Sequence, residues 1–237
     1  MAQALPASPP VPAGQRLAPA EVDWSRYEFV DFGCSKGGSL KFAKKRFAAK
    51  NGLGVDVDPR KIEQALARGF DVVEGDLHAL RGKRQVRFVS MMQFLEHLPE
   101  LSEVERVVAK AAQLAKDFLY IHHPSFDDEH FLLSQGLRIY YHHWSGHTAH
   151  VRSDQFFEIF ERLGLLQYHV RPVKPILDSS HPAILPASAP MDQHEYDPNR
   201  HGPKPQLGFP HAVHQHLEFF VALRPFDKAE WRAIVSG

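Results

Sequence analysis

The sequence predicts an α/β fold built on a doubly wound, mostly parallel sheet. Between residues 27 and 120, short apolar runs alternate with amphipathic stretches, and this alternation is typical of successive βαβ units. The chain has 237 residues, of which 43% are hydrophobic, and this is enough to bury one sizeable core. We therefore expect a single domain over residues 23–237.

Five strands are expected in the first half of the chain, each a short apolar run that ends in a turn or leads into a helix. They cover residues 29–32, 54–57, 70–73, 86–92 and 118–122. Amphipathic stretches predict helices over residues 40–49 and 101–114, and another beginning at Asp58. That start is favoured because Asp58 can cap free backbone N–H groups and Pro59 suits the first turn.

The pattern changes after the fifth strand. A helix is expected over residues 154–163, an extended segment over 165–173 and a last strand over 217–223. Residues 172–215 are irregular and rich in Pro, His and Ser, and so long a connection inside a compact domain is usually functional or disordered. We interpret it as a lid or substrate-binding insertion, with a flexible loop as the equally weighted alternative.

Composition and the terminal segment exclude several partners. Lysine and arginine together number 28, as do aspartate and glutamate, so nothing indicates the basic surface that binds nucleic acid phosphates. No run approaches the ~18 apolar residues that span a membrane. Residues 1–22, rich in Ala and Pro, predict a disordered tail and not a signal peptide. A single cysteine, Cys34, fits a reducing compartment, so we expect a cytoplasmic protein. The sequence does not indicate its oligomeric state.

The first candidate binding element is the turn after the first strand, Asp31-Phe32-Gly33-Cys34-Ser35-Lys36-Gly37-Gly38. Glycines let the backbone approach a ligand closely, and the following helix offers free N–H groups and the positive end of its dipole. The spacing Gly-x-x-x-Gly-Gly differs from the Gly-x-Gly-x-x-Gly of dinucleotide sites. It therefore disfavours NAD, and a plain tight connection remains the alternative to a binding turn.

Acidic residues follow the next two strands. Asp56 lies roughly 23 residues beyond Gly33, where a carboxylate can accept hydrogen bonds from ribose hydroxyls, although it is also compatible with a solvated strand end. Asp76, in Glu74-Gly75-Asp76-Leu77, follows the third strand and can accept a hydrogen bond from an adenine amino group. Because parallel strands end at one sheet edge, we expect Gly33, Asp56 and Asp76 to converge around one adenosyl group.

Residues 27–124 resemble the cofactor half of the class I S-adenosylmethionine-dependent methyltransferases, in their small-molecule branch. The four motifs that carry the resemblance are Asp31-x-Gly33-Cys34-x-x-Gly37, Gly54-Val55-Asp56, Gly75-Asp76-Leu77 and Phe94-Leu95-Glu96-His97-Leu98-Pro99. The resemblance implies a Rossmann-like seven-stranded sheet whose last strand is antiparallel. It also implies S-adenosylmethionine as cofactor and methyl transfer to a small-molecule or sugar-like acceptor. We expect a hydroxyl as the acceptor group, and the sequence leaves oxygen, nitrogen and carbon open as the methylated atom.

The same resemblance assigns roles to individual residues. Gly33 and Gly37 flank the methionine part, Asp56 holds the ribose, and Asp76 with the Leu77 backbone holds the adenine. The expected cofactor-binding residues are Asp31, Gly33, Cys34, Ser35, Gly37, Asp56, Val57, Asp76, Leu77 and Gln93, the last at the mouth near the sulfonium. Ser35 departs from the family pattern, because a glycine usually stands there and a Cβ disfavours positive φ.

Histidines are the compositional exception, with 16 in the chain. Removing a hydroxyl proton suits a histidine of near-neutral pKa, and His97, His147 and His150 are the candidate catalytic residues. Capping or packing is the alternative for each. A metal-binding cluster is a further alternative, formed by His142, His143, His147 and His150 with His122 and His123. No cysteine or clear carboxylate accompanies that spacing, so no metal site is predicted.

Two other functions stay open at this point. A non-catalytic module that binds S-adenosylmethionine would keep the motifs at the sheet edge but have a blocked acceptor pocket. A histidine-rich metal-binding or interaction protein would bind ions without the adenosyl ligand.

Overall fold

The computed structural model describes residues 14–236 and divides the chain into two compact units, Met1–Arg81 and Gly82–Gly237. Each unit combines a sheet with helices, so the predicted α/β class is confirmed. Among residues 14–236, no helix is both long enough and apolar enough to cross a bilayer.

The first unit contains a parallel sheet. Its strands are β1 (Arg16–Leu17), β2 (Phe29–Phe32), β3 (Gly52–Asp56) and β4 (Asp71–Glu74). They lie in the order β1-β4-β3-β2, with every neighbouring pair parallel. Helix α1 (Gly38–Arg46) joins β2 to β3, and helix α2 (Pro59–Ala67) joins β3 to β4. The connections are the βαβ units that the alternating sequence pattern predicts.

Burial explains why these segments form strands and helices. Phe29, Val30 and Leu53 are fully buried, as expected for parallel strands covered on both faces. Helix α2 turns Ile62 and Ala65 toward the core. Its start is as predicted, because the Asp58 carboxylate accepts a hydrogen bond from the Arg60 N–H at 2.9 Å.

Strand β1 lies inside the segment that the sequence predicts as a tail. Arg16 pairs with Val72 across the ladder to β4, and its guanidinium also forms ion pairs with Glu63 and Glu74. A short 3-10 helix, Pro19–Glu21, follows. These contacts order the tail from residue 14 onward, and residues 1–13 lie outside the described part of the chain.

The second unit is mixed. Its strands are β5 (Val86–Met92), β6 (Ala115–Pro124), β7 (Leu137–Ile139), β8 (Tyr168–Asp178), β9 (Ile184–Pro186) and β10 (Gly208–Ala222). Four of them form a sheet in the order β5-β6-β10-β8, and β7 pairs with β9 separately. Strands β5 and β6 are parallel, whereas β10 is antiparallel to both of its neighbours. The expected antiparallel last strand is therefore present.

Helices cover the rest of this unit. They are α3 (Leu101–Leu114), α4 (Glu129–Ser134), α5 (Ser153–Arg162), α6 (Pro198–His201) and α7 (Lys228–Ser236). Within residues 14–236, each unit contributes four strands to the main sheet. The total of eight is one more than the seven that the sequence predicts. The additional strand is β1, which lies within the expected tail of residues 1–22.

The segment predicted to be irregular, residues 172–215, contains regular structure. Strand β8 continues to Asp178, and β10 begins at Gly208. Pro172 and Pro175 lie within β8, which bonds to a neighbour on one side only, and an edge strand tolerates the missing N–H of proline. The segment also has a small core, in which Ile176, Ile184 and Val213 pack with residues of β7 and α4.

Candidate functional site

The turn between β2 and α1 is held in a left-handed conformation. Gly33, Ser35 and Gly37 have φ angles of 68°, 49° and 82°. At Gly37 a Cβ would also lie 2.8 Å from the Phe70 ring, so both backbone and packing require glycine there. Helix α1 then begins with no side-chain cap at Gly37. Its first N–H groups and the positive end of its dipole therefore suit an anionic ligand.

Ser35 takes the conformation of the glycine that it replaces. A left-handed residue with a Cβ costs about 1–2 kcal/mol. The Ser35 N–H donates a 2.7 Å hydrogen bond to Asp56 Oδ2, and a hydrogen bond to a charged acceptor contributes roughly 1.5–3 kcal/mol. The contact with Asp56 thus offsets the strain, and the Cβ does not prevent the positive φ.

Asp56 supports the site and retains capacity for a ligand. The carboxylate ends β3 half-buried. Besides Ser35, it accepts hydrogen bonds at Oδ1 from the N–H groups of Val57 at 2.8 Å and Asp58 at 2.9 Å. A carboxylate accepts about four hydrogen bonds. The three backbone bonds therefore leave room for a ligand hydroxyl while they fix the orientation of the side chain.

The end of β4 lies beside the end of β3. The Gly75 N–H donates to the Asp56 carbonyl at 3.0 Å, and Asp76 Oδ1 caps the next 3-10 helix by accepting from the His78 N–H at 2.8 Å. Leu77 begins that helix and is half-buried. Val57 is 72% exposed, an uncovered apolar surface next to Asp56. The structure thus brings Gly33, Asp56 and Asp76 to one edge of the first unit's sheet.

Asp31 and Cys34 act from inside the fold. Both are fully buried. The Ser39 hydroxyl donates a hydrogen bond to Asp31, which ties β2 to the first turn of α1. Burial raises the pKa of the Cys34 thiol, and the nearby charges of Asp31 and Asp56 raise it further. The thiol is therefore protonated at neutral pH, and these two side chains shape the turn from beneath.

A separate groove of about 960 Å³ lies at the other edge of this unit, where Gly52 and Asp71 begin their strands. Its cationic lining consists of Arg26, Lys41, Lys44, Lys50 and Arg68. Of the expected cofactor residues, Gly37 is the one that lines it. Ligands of parallel sheets bind outside the carboxyl ends of the strands, so this groove is not the predicted site.

In the second unit, Gln93 stands at the carboxyl end of β5 in a left-handed conformation, with φ of 50°. Its N–H donates to the His122 carbonyl at 2.9 Å, and its side chain is exposed. A non-glycine residue in this region is strained, and such residues concentrate at functional sites. The observation supports a functional role for this strand end.

Hydrogen bonds join the segment after Gln93 to a later loop. The Glu96 carbonyl accepts from the N–H groups of Thr148 at 2.9 Å and Ala149 at 3.1 Å. The Thr148 hydroxyl donates to the Leu98 carbonyl at 2.6 Å. These contacts hold residues 95–98 against residues 146–149, although the two segments lie about fifty positions apart in sequence.

The same contacts assemble Glu96, His97 and His147. One ligand atom from each, a carboxylate oxygen and two ring nitrogens, lie within 4.8 Å of one another. His97 Nδ1 bonds to the Gly146 carbonyl at 2.6 Å, and His147 Nδ1 to the Tyr141 carbonyl at 3.0 Å. Glu96 lies in one of the four sequence motifs but is not among the site residues expected from the sequence. The available signal was an acidic residue among apolar ones, Phe94, Leu95 and Leu98.

His150 does not belong to the group of Glu96, His97 and His147, and it contacts other residues. Its Nδ1 lies 3.0 Å from Glu129 Oε2, and its ring stacks on Phe126 with centroids 4.3 Å apart. The structure therefore brings together two of the three predicted catalytic histidines and places the third beside a carboxylate of its own.

Burial controls the charge of this group. Glu96 is fully buried. Although that burial raises its pKa, the His123 ring, with Nδ1 3.4 Å from Oε2, lowers it, and the net pKa is lowered. Burial lowers the pKa of His147. Glu96 opposes this shift, as does the hydrogen bond to the Tyr141 carbonyl, whereas the neighbouring His97 and His150 rings add to it. At neutral pH the group therefore combines a carboxylate with a neutral imidazole.

Comparison with known proteins places these features in context. Residues 8–169 match a family model described as a methyltransferase domain. A SAM-dependent methyltransferase from Archaeoglobus fulgidus has a similar structure, with 17% identity, a TM-score of 0.56, and coverage of 90% of this chain and 88% of that one. The YcgJ protein from Bacillus subtilis is also similar, with 13% identity and a TM-score of 0.56, over 85% of this chain and 93% of that one.

A third structure is a SAM-dependent methyltransferase from Thermotoga maritima, described as a possible histamine N-methyltransferase. It shares 15% identity at a TM-score of 0.51, over 84% of this chain and 82% of that one. No curated protein matches the sequence. Identities this low support a common fold, and the Rossmann-like architecture predicted from the sequence is confirmed.

Proposed function

The chain belongs to the methyltransferase domain family, and from this we propose that it binds S-adenosylmethionine through its first unit and methylates a hydroxyl of a small-molecule or sugar-like acceptor. The family membership confirms the resemblance carried by the four motifs. The acceptor, the methylated atom and the residue roles belong to the proposal.

One observation carries it: the ends of β2, β3 and β4 present a glycine turn, Asp56 and Asp76 side by side. The open start of α1 suits the carboxylate of the methionine moiety. Asp56 has capacity for a ribose hydroxyl. Val57, exposed beside it, offers an apolar surface for the adenine ring.

The second unit supports the choice of a hydroxyl acceptor. Methyl transfer from a sulfonium is an in-line displacement, so positioning and exclusion of water supply most of the catalysis. A hydroxyl must also lose its proton, and a neutral histidine is a suitable base. His147 meets this requirement, since Nδ1 donates to the Tyr141 carbonyl and Nε2 therefore carries the lone pair.

The balance of charge favours a small acceptor over nucleic acid. Basic and acidic residues are equal in number, at 28 each. Binding to a phosphate backbone depends on an excess of positive charge, which the chain as a whole lacks, the cationic groove of the first unit being a local exception.

Calorimetry with S-adenosylmethionine and S-adenosylhomocysteine tests the cofactor. We expect both to bind the wild-type chain, and Asp56→Ala to weaken binding about tenfold or more, the effect of losing one hydrogen bond to a charged group. Absence of binding for both compounds contradicts the proposal. An unchanged dissociation constant in Asp56→Ala contradicts the ribose role alone.

Two further variants separate binding from folding. Asp58→Ala removes the cap of α2 two positions away, so it should lower stability and leave cofactor affinity unchanged. Asp56→Asn keeps an oxygen for the N–H groups of Val57 and Asp58 but places an amide NH2 opposite the Ser35 N–H, and it loses the charge. We expect it to fold and still bind the cofactor more weakly than wild type.

A screen with methyl-labelled cofactor against hydroxyl-bearing small molecules identifies the acceptor. With that acceptor, His147→Ala should lower kcat by about 100-fold, the scale of a lost general base, with the cofactor Kd unchanged. His150→Ala is the matched control, because Glu129 already engages that ring. Equal losses in both variants would count against a special role for His147.

A further inference from the structure

We propose that Glu96, His97 and His147 bind a single divalent metal ion of the zinc type. Their three ligand atoms lie within 4.8 Å of one another. Zinc ligands lie about 2.0–2.2 Å from the ion. Three atoms at most 4.8 Å apart share a point within about 2.8 Å of each, so each would have to approach a bound ion by roughly 0.7 Å or less.

The histidines are held in the form that binds metal. A backbone carbonyl only accepts hydrogen bonds, so the contacts of His97 Nδ1 with Gly146 and of His147 Nδ1 with Tyr141 place a proton on each Nδ1. The remaining nitrogen, Nε2, is then unprotonated. Metal-binding histidines characteristically donate their other N–H to a carbonyl or carboxylate, which fixes the tautomer and the ring orientation.

Glu96 provides an independent observation. Its side chain is fully buried, yet neither carboxylate oxygen makes a hydrogen bond. The nearest opposite partner is His123 Nδ1 at 3.4 Å. Burying a carboxylate without hydrogen bonds is costly, and buried polar groups normally have partners. A bound cation would supply the missing interaction.

The ligand set indicates the class of ion. Mg²⁺ and Ca²⁺ prefer all-oxygen sites, whereas imidazole suits zinc and its transition-metal neighbours. Two histidines and one glutamate also match the three-ligand zinc sites that keep a fourth position open. The sequence spacing revealed no carboxylate partner for the histidines, because Glu96 reaches them through the fold of residues 146–149.

An open coordination position has a chemical use here. A hydroxyl bound to Zn²⁺ loses its proton far more easily than in water. With the ion bound, His147 would be a ligand and no longer a base, and the ion would favour release of the acceptor's proton to solvent. His147 acts as the base only in the chain without the ion. This role of the ion rests on the proposed function, whereas binding of the ion does not.

Isothermal titration of the chelator-treated full chain with ZnCl₂ tests the site. We expect one ion per chain. Glu96→Gln, His97→Ala and His147→Ala should each weaken binding by at least about 100-fold, since even loss of a residue behind the ligands costs 10–100-fold. Substitution by Co²⁺, followed by visible absorption, should report the coordination and lose its signal in the same variants.

Two variants test whether a loss of zinc affinity is specific to the proposed ligands and is not caused by misfolding. His130→Ala removes an exposed ring and should leave the affinity unchanged. Glu96→Gln replaces a buried charge with a neutral group of the same shape, so it should fold at least as well as wild type. Absence of stoichiometric binding, or equal affinity in wild type and Glu96→Gln, overturns the proposal.

The same samples are titrated with S-adenosylmethionine. Cofactor binding without zinc binding leaves the proposed function intact and removes the metal site. Zinc binding without cofactor binding supports the site and removes the function. The two failures are therefore distinguishable.

Discussion

Ser35 has a strained backbone and also helps to hold the proposed binding site. Its φ of 49° is the conformation of a glycine, and the serine reaches it because its N–H bonds to Asp56. The same carboxylate is proposed to bind the ribose. One hydrogen bond therefore both offsets the strain at Ser35 and fixes the orientation of the Asp56 side chain.

This leads to a graded prediction at position 35. Ser35→Val should lower the free energy of unfolding by about 1–2 kcal/mol, because a β-branched residue is strongly disfavoured at positive φ. Ser35→Gly should stay within about 1 kcal/mol of wild type, since relief of strain is offset by the larger entropy of glycine in the unfolded chain. Urea unfolding of each variant measures both values.

Ser188→Val is the matched control for this series. Ser188 is an exposed turn residue outside the left-handed set, so its substitution should change stability by less than about 0.5 kcal/mol. A loss at Ser188 as large as that at Ser35 would mean that valine is harmful for reasons unrelated to φ.

Single residues differ in how far the sequence predicts them. Asp58 was predictable as a helix cap, because capping depends on neighbours in the chain. Glu96 was not, because its importance comes from complete burial and from contacts with residues fifty positions away. Local chemistry is readable from local sequence, whereas long-range assembly of a site is not.

At the scale of elements, a polar network links three strands of the second unit. Glu218 on β10 accepts a hydrogen bond from the Tyr120 hydroxyl of β6 at 2.7 Å and one from Arg171 Nε of β8 at 2.6 Å. Glu218 is 6% exposed. If Glu218 is removed, the Tyr120 hydroxyl and the Arg171 guanidinium lose their hydrogen-bond acceptor inside the protein.

Glu218→Leu should accordingly lower the free energy of unfolding by about 2–4 kcal/mol, less than for a fully buried pair because Arg171 is partly exposed. Glu158→Leu is the comparison. Its pairing with Arg162 on the surface of α5 contributes less than about 0.5 kcal/mol. Chemical denaturation compares the two, and equal small effects would show that the network does not stabilise the strands.

Elements with strong periodicity were predictable, and the exceptions have physical reasons. Residues 29–32 and 86–92 form strands as expected, because both are buried apolar runs. The extended segment was expected to end at residue 173, whereas β8 continues to Asp178 and contains Pro172 and Pro175. These prolines are tolerated at a sheet edge, and edge position is a property of the assembled sheet that the chain's local pattern does not contain.

For the molecule as a whole, buried histidines determine the response to acid. Burial lowers the pKa of His142 to about 4. It lowers that of His216 to about 3, and the neighbouring His122 ring and Lys174 lower it further. In the unfolded chain both should titrate near 6.5. The unfolded state therefore binds more protons than the folded state at intermediate pH.

Where the unfolded state holds more protons, stability falls as pH falls, so the loss begins near pH 6.5 and continues toward pH 4. Each histidine contributes at most about 1.4 kcal/mol per pH unit in that window. Carboxylates with lowered pKa titrate below their ordinary values of 3.8 to 4.5, so stability measured from pH 7 to pH 5 isolates the histidines. We expect the double variant His142→Phe, His216→Phe to show a flatter pH profile than wild type in urea unfolding, and an unchanged slope would contradict this origin of acid sensitivity.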